Sequence, residues 1–84
     1  MLEQGGAISD LRCQVRFEVV PRQYDEQGKL VERAVHYVCD FAYYQDGQLI
    51  VEDVKSEITR LIPDYVIKRK LMLKVLGIRV KEIL

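Results

Sequence analysis

The sequence contains few of the residues that mark secreted, membrane-bound or zinc-binding proteins. It has two cysteines, Cys13 and Cys39, each in an apolar run and without CxxC spacing. No apolar run approaches the roughly 18 residues of a membrane span, and the N-terminus lacks the basic and apolar segments of a signal sequence. We predict a soluble cytoplasmic protein without a membrane partner. We expect two buried free thiols, with a disulfide as the alternative.

Histidine is scarce as well, and its scarcity argues against nucleophilic catalysis. His36 is the single histidine, and no serine or cysteine at a useful spacing could serve as its nucleophile. The 84 residues, 49% of them apolar, suffice for one small core. There is no internal repeat, low-complexity stretch or linker. We therefore predict a single domain over residues 1–84.

The sequence has no net charge, but the charges are divided between its two parts. Residues 1–54 carry five basic and ten acidic side chains, whereas residues 55–84 carry eight basic and three acidic ones. A local excess of positive charge attracts polyanions. The second part of the chain is therefore a candidate surface for nucleic acid.

Hydrophobic periodicity predicts three strands, then a helix, then a short strand. The polar segment 22–29 is a predicted turn, and residues 56–62 are ambiguous. Pro63 and Gly77 mark the two ends of the helix. The predicted strands cover residues 12–20, 30–44, 48–55 and 78–83.

One helix and one mainly antiparallel sheet predict an α+β domain of two layers. The apolar stripe of the helix covers one face of the sheet, and the other face is open. Val38 and Val51 are expected to be exposed there. Since an exposed apolar patch is usually buried by a partner, we expect a homodimer.

The Asp46-Gly47 turn brings two acids together. In a two-residue hairpin loop, Asp40 lies directly across from Asp53, and Lys55 points to the same face. Like charges directly opposite each other destabilise a sheet, so the pair calls for a cation. Either Lys55 alone supplies it, as a structural salt bridge, or a metal ion does.

Several segments of the sequence resemble a known family. They are residues 37–44 (YVCDFAYY), the Asp46-Gly47 turn, residues 51–55 (VEDVK), residues 68–71 (KRKL) and Gly77. They resemble small uncharacterised phage and prophage proteins assigned to the PD-(D/E)xK nuclease-like superfamily, which includes Holliday-junction resolvases and restriction enzymes. The resemblance extends from about residue 11 to the C-terminus. It implies the two-layer βββαβ core of the restriction-endonuclease-like fold, with a mixed sheet.

The same resemblance implies a binding site for Mg²⁺ or Mn²⁺. It also implies that the protein is a DNA endonuclease of the structure-specific or resolvase type. Asp40 and Asp53 become the metal-binding acids, with the backbone carbonyl of Val54 as a further ligand. Lys55 becomes the lysine that orients the attacking water. Mg²⁺ favours one or two carboxylates and substrate phosphate, and a bound metal lowers the pKa of water.

The sequence departs from the superfamily pattern at its beginning. The superfamily core starts with a helix that carries a glutamate, and here residues 2–6 resemble only the tail of that helix. We therefore expect the first helix to be missing or truncated, which leaves catalytic activity open. Glu3 and Glu18 are the nearest substitutes for the glutamate, and Glu52 points to the opposite face. We assign none of the three to the metal.

The helix carries four basic side chains that could bind DNA: Lys68, Arg69, Lys70 and Lys74. The alternative is a solvated helix face. We expect the tyrosines to cover the sheet rather than stack on bases. Two functions follow: a metal-dependent DNA endonuclease, or a non-catalytic nucleic-acid-binding or interaction module with a nuclease-like core.

Overall fold

The computed structural model describes residues 8–84, which form eight strands, one α-helix and two irregular helical turns. The α-helix, α1, spans Pro63–Leu71; it follows a 3₁₀ turn, Thr59–Leu61, and continues into a π-helical turn, Met72–Leu76. The strands are β1 (Ile8–Cys13), β2 (Arg16–Val20), β3 (Gln23–Tyr24), β4 (Leu30–Glu32), β5 (Val35–Val38), β6 (Phe41–Gln45), β7 (Gln48–Val54) and β8 (Lys81–Ile83).

The main sheet has four strands in the order β1-β6-β7-β8. β1, β6 and β7 are antiparallel, and β8, which follows the helix, runs parallel to β7. A crossover through a helix is the usual way to join parallel strands. Two further ribbons, β2–β5 and β3–β4, complete the described part of the chain. The architecture is therefore α+β with a mixed sheet and a single short helix, as predicted.

The core lies where α1 and the π-helical turn meet the β2–β5 ribbon and the main sheet. Met72 is fully buried in it, and Val51 is 1% exposed. The expectation that Val51 is exposed is therefore wrong, while Val38 is exposed as expected. The buried members of the core are Val19, Tyr37, Cys39, Ala42, Val51, Tyr65, Met72 and Val80.

Two of the predicted strands are divided in the structure. The predicted strand over residues 12–20 breaks after Cys13, where Gln14 has a φ of 53° and donates its N–H to the Asp40 carbonyl. The left-handed backbone of Gln14 and this hydrogen bond mark the turn between β1 and β2. The predicted strand over residues 30–44 becomes β4, β5 and β6, and the predicted turn over residues 22–29 contains β3. Cys39 is buried as predicted, but Cys13 is exposed, so that prediction is wrong.

The helix prediction is confirmed at both ends. Pro63 occupies the start of α1, where a missing N–H costs nothing, and Gly77 caps the π-helical turn with a φ of 69°. Residues 2–6 and Glu3, the expected remnant of a first helix, lie outside the described residues. None of the helices within residues 8–84 is long and apolar enough to cross a membrane.

Candidate functional site

The β6–β7 hairpin places Asp40 and Asp53 side by side. Asp46 and Gly47 both have positive φ, 55° and 77°, as a two-residue turn of type I′ requires. Phe41 pairs with Glu52, so the next pair in the same register is Asp40 and Asp53. The structure thus confirms the predicted register.

Asp53 is the buried member of the pair and is only 2% exposed. The Tyr37 hydroxyl donates a hydrogen bond to Asp53 Oδ2. Lys55 Nζ lies 3.3 Å from the same oxygen. Burial raises the pKa of Asp53, and its hydrogen bond with Asp40 raises it further; Tyr37 and Lys55 lower it without overcoming these effects. Asp53 therefore holds its proton more tightly than an ordinary aspartate.

Asp40, in contrast to Asp53, favours the ionised form. Its Oδ2 accepts the backbone N–H of Val54 at 2.8 Å. This hydrogen bond, followed by the bond with Asp53 and the charge of Lys55, lowers the pKa of Asp40. When the two carboxyls share one proton, Asp53 carries it and Asp40 is ionised. Adjacent carboxyls with divergent pKa values are typical of acid–base and metal sites, and also of some structural clusters.

Lys55 is held in place from two sides. Its side chain is 19% exposed, and Nζ lies 4.5 Å from the centre of the Tyr65 ring, within the range of a cation–π contact. The backbone N–H of Lys55 donates to the Ile83 carbonyl at 2.9 Å. The ammonium group is therefore fixed between the Asp53 carboxyl and the aromatic face.

A third acid, Glu82, lies beside this pair and was not predicted from the sequence as a residue of the site. In the parallel register of β7 and β8, Glu82 is directly opposite Asp53. Its Oε2 accepts the Tyr65 hydroxyl at 2.7 Å and Arg69 Nη1 at 3.1 Å. The tyrosine hydrogen bond contributes most to the lowered pKa of Glu82, and the charge of Arg69 lowers it further. Side chains alternate along a strand, so Glu82, two residues after the apolar Val80, points inward on the same side, whereas Ile83 points outward. This alternation was the signal in the sequence.

Arg60 completes the surroundings of Glu82. Its Nε lies 3.6 Å from Glu82 Oε1, close enough for an ion pair but too far for a hydrogen bond. This Nε is buried and has no hydrogen-bond partner within residues 8–84. Glu82 is thus neutralised by two arginines, Arg60 and Arg69, and is not free to join the Asp40–Asp53 pair.

The other candidate acids lie elsewhere, as the sequence indicated. Glu18 on β2 lies beside His36, with its Oε1 3.7 Å from His36 Nε2. Glu52 accepts the Tyr43 hydroxyl, which raises the pKa of Tyr43 to about 12. Within residues 8–84, no three His, Cys, Asp or Glu side chains come together in an arrangement suited to a metal ion. Among residues 8–84, Asp40 and Asp53 are therefore the candidate carboxyl ligands at this site.

The four basic residues of the helix do not share one face. Lys68 Nζ is 4.0 Å from Asp64, and Arg69 binds Glu82. Lys70 instead lines a groove of about 610 Å³ between α1 and β8, together with Arg69, Arg79 and Lys81. Lys74 is exposed on the π-helical turn and does not line this groove. Of the four, Arg69 and Lys70 therefore line this groove, and Lys68 and Lys74 do not.

The tyrosines expected to cover the sheet divide into buried and exposed members. Tyr37, Tyr43 and Tyr65 are buried, whereas Tyr44 is exposed. All three buried hydroxyls donate to acids of the main sheet: Tyr37 to Asp53, Tyr43 to Glu52 and Tyr65 to Glu82. Tyr37 and Tyr65 are the two whose acids lie at the candidate site. Their role beside Asp53 and Glu82 was not visible in the sequence, because it depends on contacts between β5, β7, β8 and α1.

Comparison with known proteins identifies a family but no characterised relative. No curated protein and no solved structure matches the chain. The family model that does match covers residues 1–82, nearly the whole chain. The chain belongs to the family described as Protein of unknown function (DUF1064).

Proposed function

We propose that this chain is a metal-dependent DNA endonuclease of the PD-(D/E)xK type, of phage or prophage origin. The observation that carries the proposal is the Asp40–Asp53 pair across the β6–β7 hairpin, with Lys55 Nζ 3.3 Å from Asp53 Oδ2. Asp53 is buried, and its burial raises its pKa. A buried carboxyl of this kind reduces stability when it ionises, which is a common feature of functional sites.

The order of elements supports the same proposal. In the main sheet, three antiparallel strands, β1, β6 and β7, are followed by α1 and by β8, which is parallel to β7. This order is compatible with the βββαβ core that the sequence resemblance implies. Asp40 directly precedes β6, Asp53 lies near the end of β7, and Lys55 directly follows β7.

The two carboxyls fit a hard divalent cation. The lowered pKa of Asp40 keeps that carboxyl ionised, and a cation that binds can displace the proton of Asp53. Together the two carboxylates could hold Mg²⁺ or Mn²⁺, with the Val54 carbonyl as the predicted third ligand. When bound, such an ion polarises a phosphate and lowers the pKa of water.

The remaining groups act on the two acids and on the substrate. Tyr37 fixes Asp53 Oδ2, and the Val54 N–H fixes Asp40 Oδ2. Lys55 Nζ can donate to an attacking water or to a phosphate oxygen, and its charge offsets the negative charge that develops during phosphodiester hydrolysis. The Tyr65 ring keeps that ammonium directed at Asp53.

Plasmid cleavage and metal binding test the proposal together. The wild type is expected to cleave DNA with Mg²⁺ or Mn²⁺ and not with a chelator. Asp53→Asn and Lys55→Ala should each lower cleavage by at least 100-fold, within the usual range for a catalytic group. Titration of Mn²⁺ by calorimetry should show binding to the wild type and a large loss of affinity in Asp40→Asn.

Asp64→Asn is the matched control, because Asp64 is an exposed aspartate of α1 whose ion pair with Lys68 is long. It should cleave DNA and bind Mn²⁺ like the wild type. Cleavage by Asp53→Asn and Lys55→Ala at the wild-type rate contradicts the assignment. Equal Mn²⁺ binding by wild type and Asp40→Asn also contradicts it and favours a structural salt bridge.

A second candidate function is nucleic-acid binding without catalysis. The specific observation is that the acids already have partners within the chain: Tyr37 and Lys55 for Asp53, and the Val54 N–H for Asp40. At the same time, the groove between α1 and β8 presents Lys70 and Arg79, for which the described residues provide no ion pair.

This candidate predicts DNA binding that weakens with salt but no cleavage with any divalent metal. Lys70→Ala should reduce the dependence of log K on log salt by about 1, the effect of one lost phosphate contact. Lys74→Ala should have a smaller effect, because Lys74 lies outside the groove. DNA binding that is insensitive to salt argues against this function.

A further inference from the structure

A second positively charged groove lies in the acidic part of the sequence. It has a volume of about 920 Å³ and runs along the β2–β5 ribbon to the base of the β3–β4 ribbon. Three arginines, Arg16, Arg22 and Arg33, line it, and Glu18 is the single carboxylate among its lining residues. The acidic total of residues 1–54 therefore conceals a local excess of positive charge.

Two of these arginines, Arg22 and Arg33, lie in the two connections that join the ribbons, β2 to β3 and β4 to β5. The pairs Val20–Val35 and Gln23–Glu32 flank these connections, so the two connections run side by side. Both side chains are exposed, and neither has an ion pair or hydrogen bond within residues 8–84.

The other end of the groove is internally balanced. Arg16 Nη2 lies 3.3 Å from His36 Nδ1. Arginine can only donate, so Nδ1 accepts this contact. The other ring nitrogen, Nε2, lies 3.7 Å from Glu18 Oε1. The single carboxylate that lines the groove therefore lies at its Arg16 end.

The spacing of the arginines fits an extended polyanion rather than a single small anion. Arg16 begins β2 and Arg22 follows its end, so at least the length of β2, about 13 Å, lies between them. Phosphates of one strand of duplex DNA recur about every 3.4 Å of helix axis, so this length spans about four of them. Guanidinium groups bind phosphate in two-pronged hydrogen bonds.

We infer that the groove between Arg22 and Arg33, defined here as the ribbon groove, binds the phosphate backbone of a nucleic acid. It lies on a face of the ribbon different from that of the acids, because His36 lines the groove while the next residue, Tyr37, points inward to Asp53. The inference goes beyond the proposed function, since it gives the chain a second contact with nucleic acid that does not involve Asp40 or Asp53.

Fluorescence anisotropy with a labelled 20-base-pair duplex, measured in a chelator over a range of salt concentrations, tests this inference. Without a metal there is no cleavage, so the result does not depend on the nuclease activity. The double variant Arg22→Ala/Arg33→Ala should reduce the slope of log K against log salt by about 2. Glu18→Gln removes the groove's carboxylate and should tighten binding, a gain that a misfolded variant would not produce.

Arg12→Ala is the matched control, because Arg12 is an exposed arginine on β1 that forms an ion pair with Asp10. Its slope and affinity should equal those of the wild type. An unchanged slope in the double variant, or no gain in Glu18→Gln, overturns the inference. Competition by polyglutamate as strong as that by unlabelled duplex also overturns it, because the ribbon groove would then be a general anion site.

Discussion

The carboxylate of Asp40 accepts a hydrogen bond from the backbone N–H of Val54, at 2.8 Å, and so ties the first acid to the strand that carries the second. Asp53 is on the other side of the same peptide unit and points to Tyr37. Two acids in contact thus have opposite environments. The pKa of Asp40 is lowered by a backbone donor, and the pKa of Asp53 is raised by burial.

Asp40→Asn should reduce stability at neutral pH. Since the pKa of Asp40 is lowered in the folded chain, its stabilisation is present above the ordinary aspartate pKa and disappears as the pH falls through the folded value. Loss of the charged acceptor for Val54 N–H is expected to cost about 1 kcal/mol. Urea unfolding at pH 7 and at about pH 2 measures this; a difference that persists at the lower pH contradicts the prediction.

Asp53→Asn should have the opposite effect. The raised pKa of Asp53 means that the folded chain favours the neutral carboxyl, so stability is highest below the ordinary aspartate pKa and declines as the pH rises through the folded value. Asparagine cannot ionise and should raise Tm above that of the wild type at pH 7, but not at about pH 2. A lower Tm at pH 7 identifies the Asp53–Lys55 contact as a stabilising salt bridge instead.

The local pattern of the sequence was sufficient to predict the hairpin register and the helix ends. Asp46-Gly47 specifies a tight turn, and Pro63 and Gly77 have backbone preferences that operate within a few residues. The divisions of the long strands were not predictable in this way. The break at Gln14 is accompanied by a hydrogen bond from its N–H to the carbonyl of Asp40, which lies between β5 and β6 and is distant in sequence.

The candidate site was likewise predicted only where its residues are close in sequence. Asp40, Asp53 and Lys55 are brought together by one hairpin, whereas Glu82 reaches Asp53 through the β7–β8 pairing that follows the helix. The arginines of the ribbon groove were hidden by a charge count over residues 1–54, since such a count averages over surfaces that the fold separates.

Glu82→Gln should destabilise the chain by about 2 kcal/mol. The Glu82 side chain is 17% exposed and accepts hydrogen bonds from Tyr65 and Arg69, and charged, partly buried hydrogen bonds are worth more than exposed ion pairs. Glu57→Gln is the matched control, because Glu57 also pairs with Arg60 but is 79% exposed. Its cost should be below about 0.5 kcal/mol. Chemical denaturation of both variants measures the difference, and equal costs contradict the stabilising contribution expected from the Glu82 hydrogen bonds.

Met72→Ala tests how the helical segment is attached to the ribbon and sheet. Met72 is 0% exposed, whereas its neighbour Leu73 is 54% exposed. Truncation of a buried methionine removes its contacts and leaves a cavity, so we expect a loss of about 2–5 kcal/mol. Leu73→Ala should cost less than about 1 kcal/mol. Similar losses in the two variants, measured by urea unfolding, contradict the placement of Met72 in the core.

Tyr37→Phe should raise the pKa of Asp53 further. The Tyr37 hydroxyl donates to Asp53 Oδ2 and stabilises the ionised carboxylate, which lowers the pKa of Asp53. Without this hydroxyl, burial and the bond with Asp40 should raise that pKa further. Titration of the Asp53 carboxyl carbon by NMR measures the shift. Tyr43→Phe is the control, because the Tyr43 hydroxyl binds Glu52 and should leave the Asp53 titration unchanged. A downward shift in Tyr37→Phe contradicts the role assigned to Tyr37. An upward shift means that Asp53 keeps its proton to higher pH, so Mn²⁺ should bind this variant more weakly near neutral pH if Asp53 is a metal ligand.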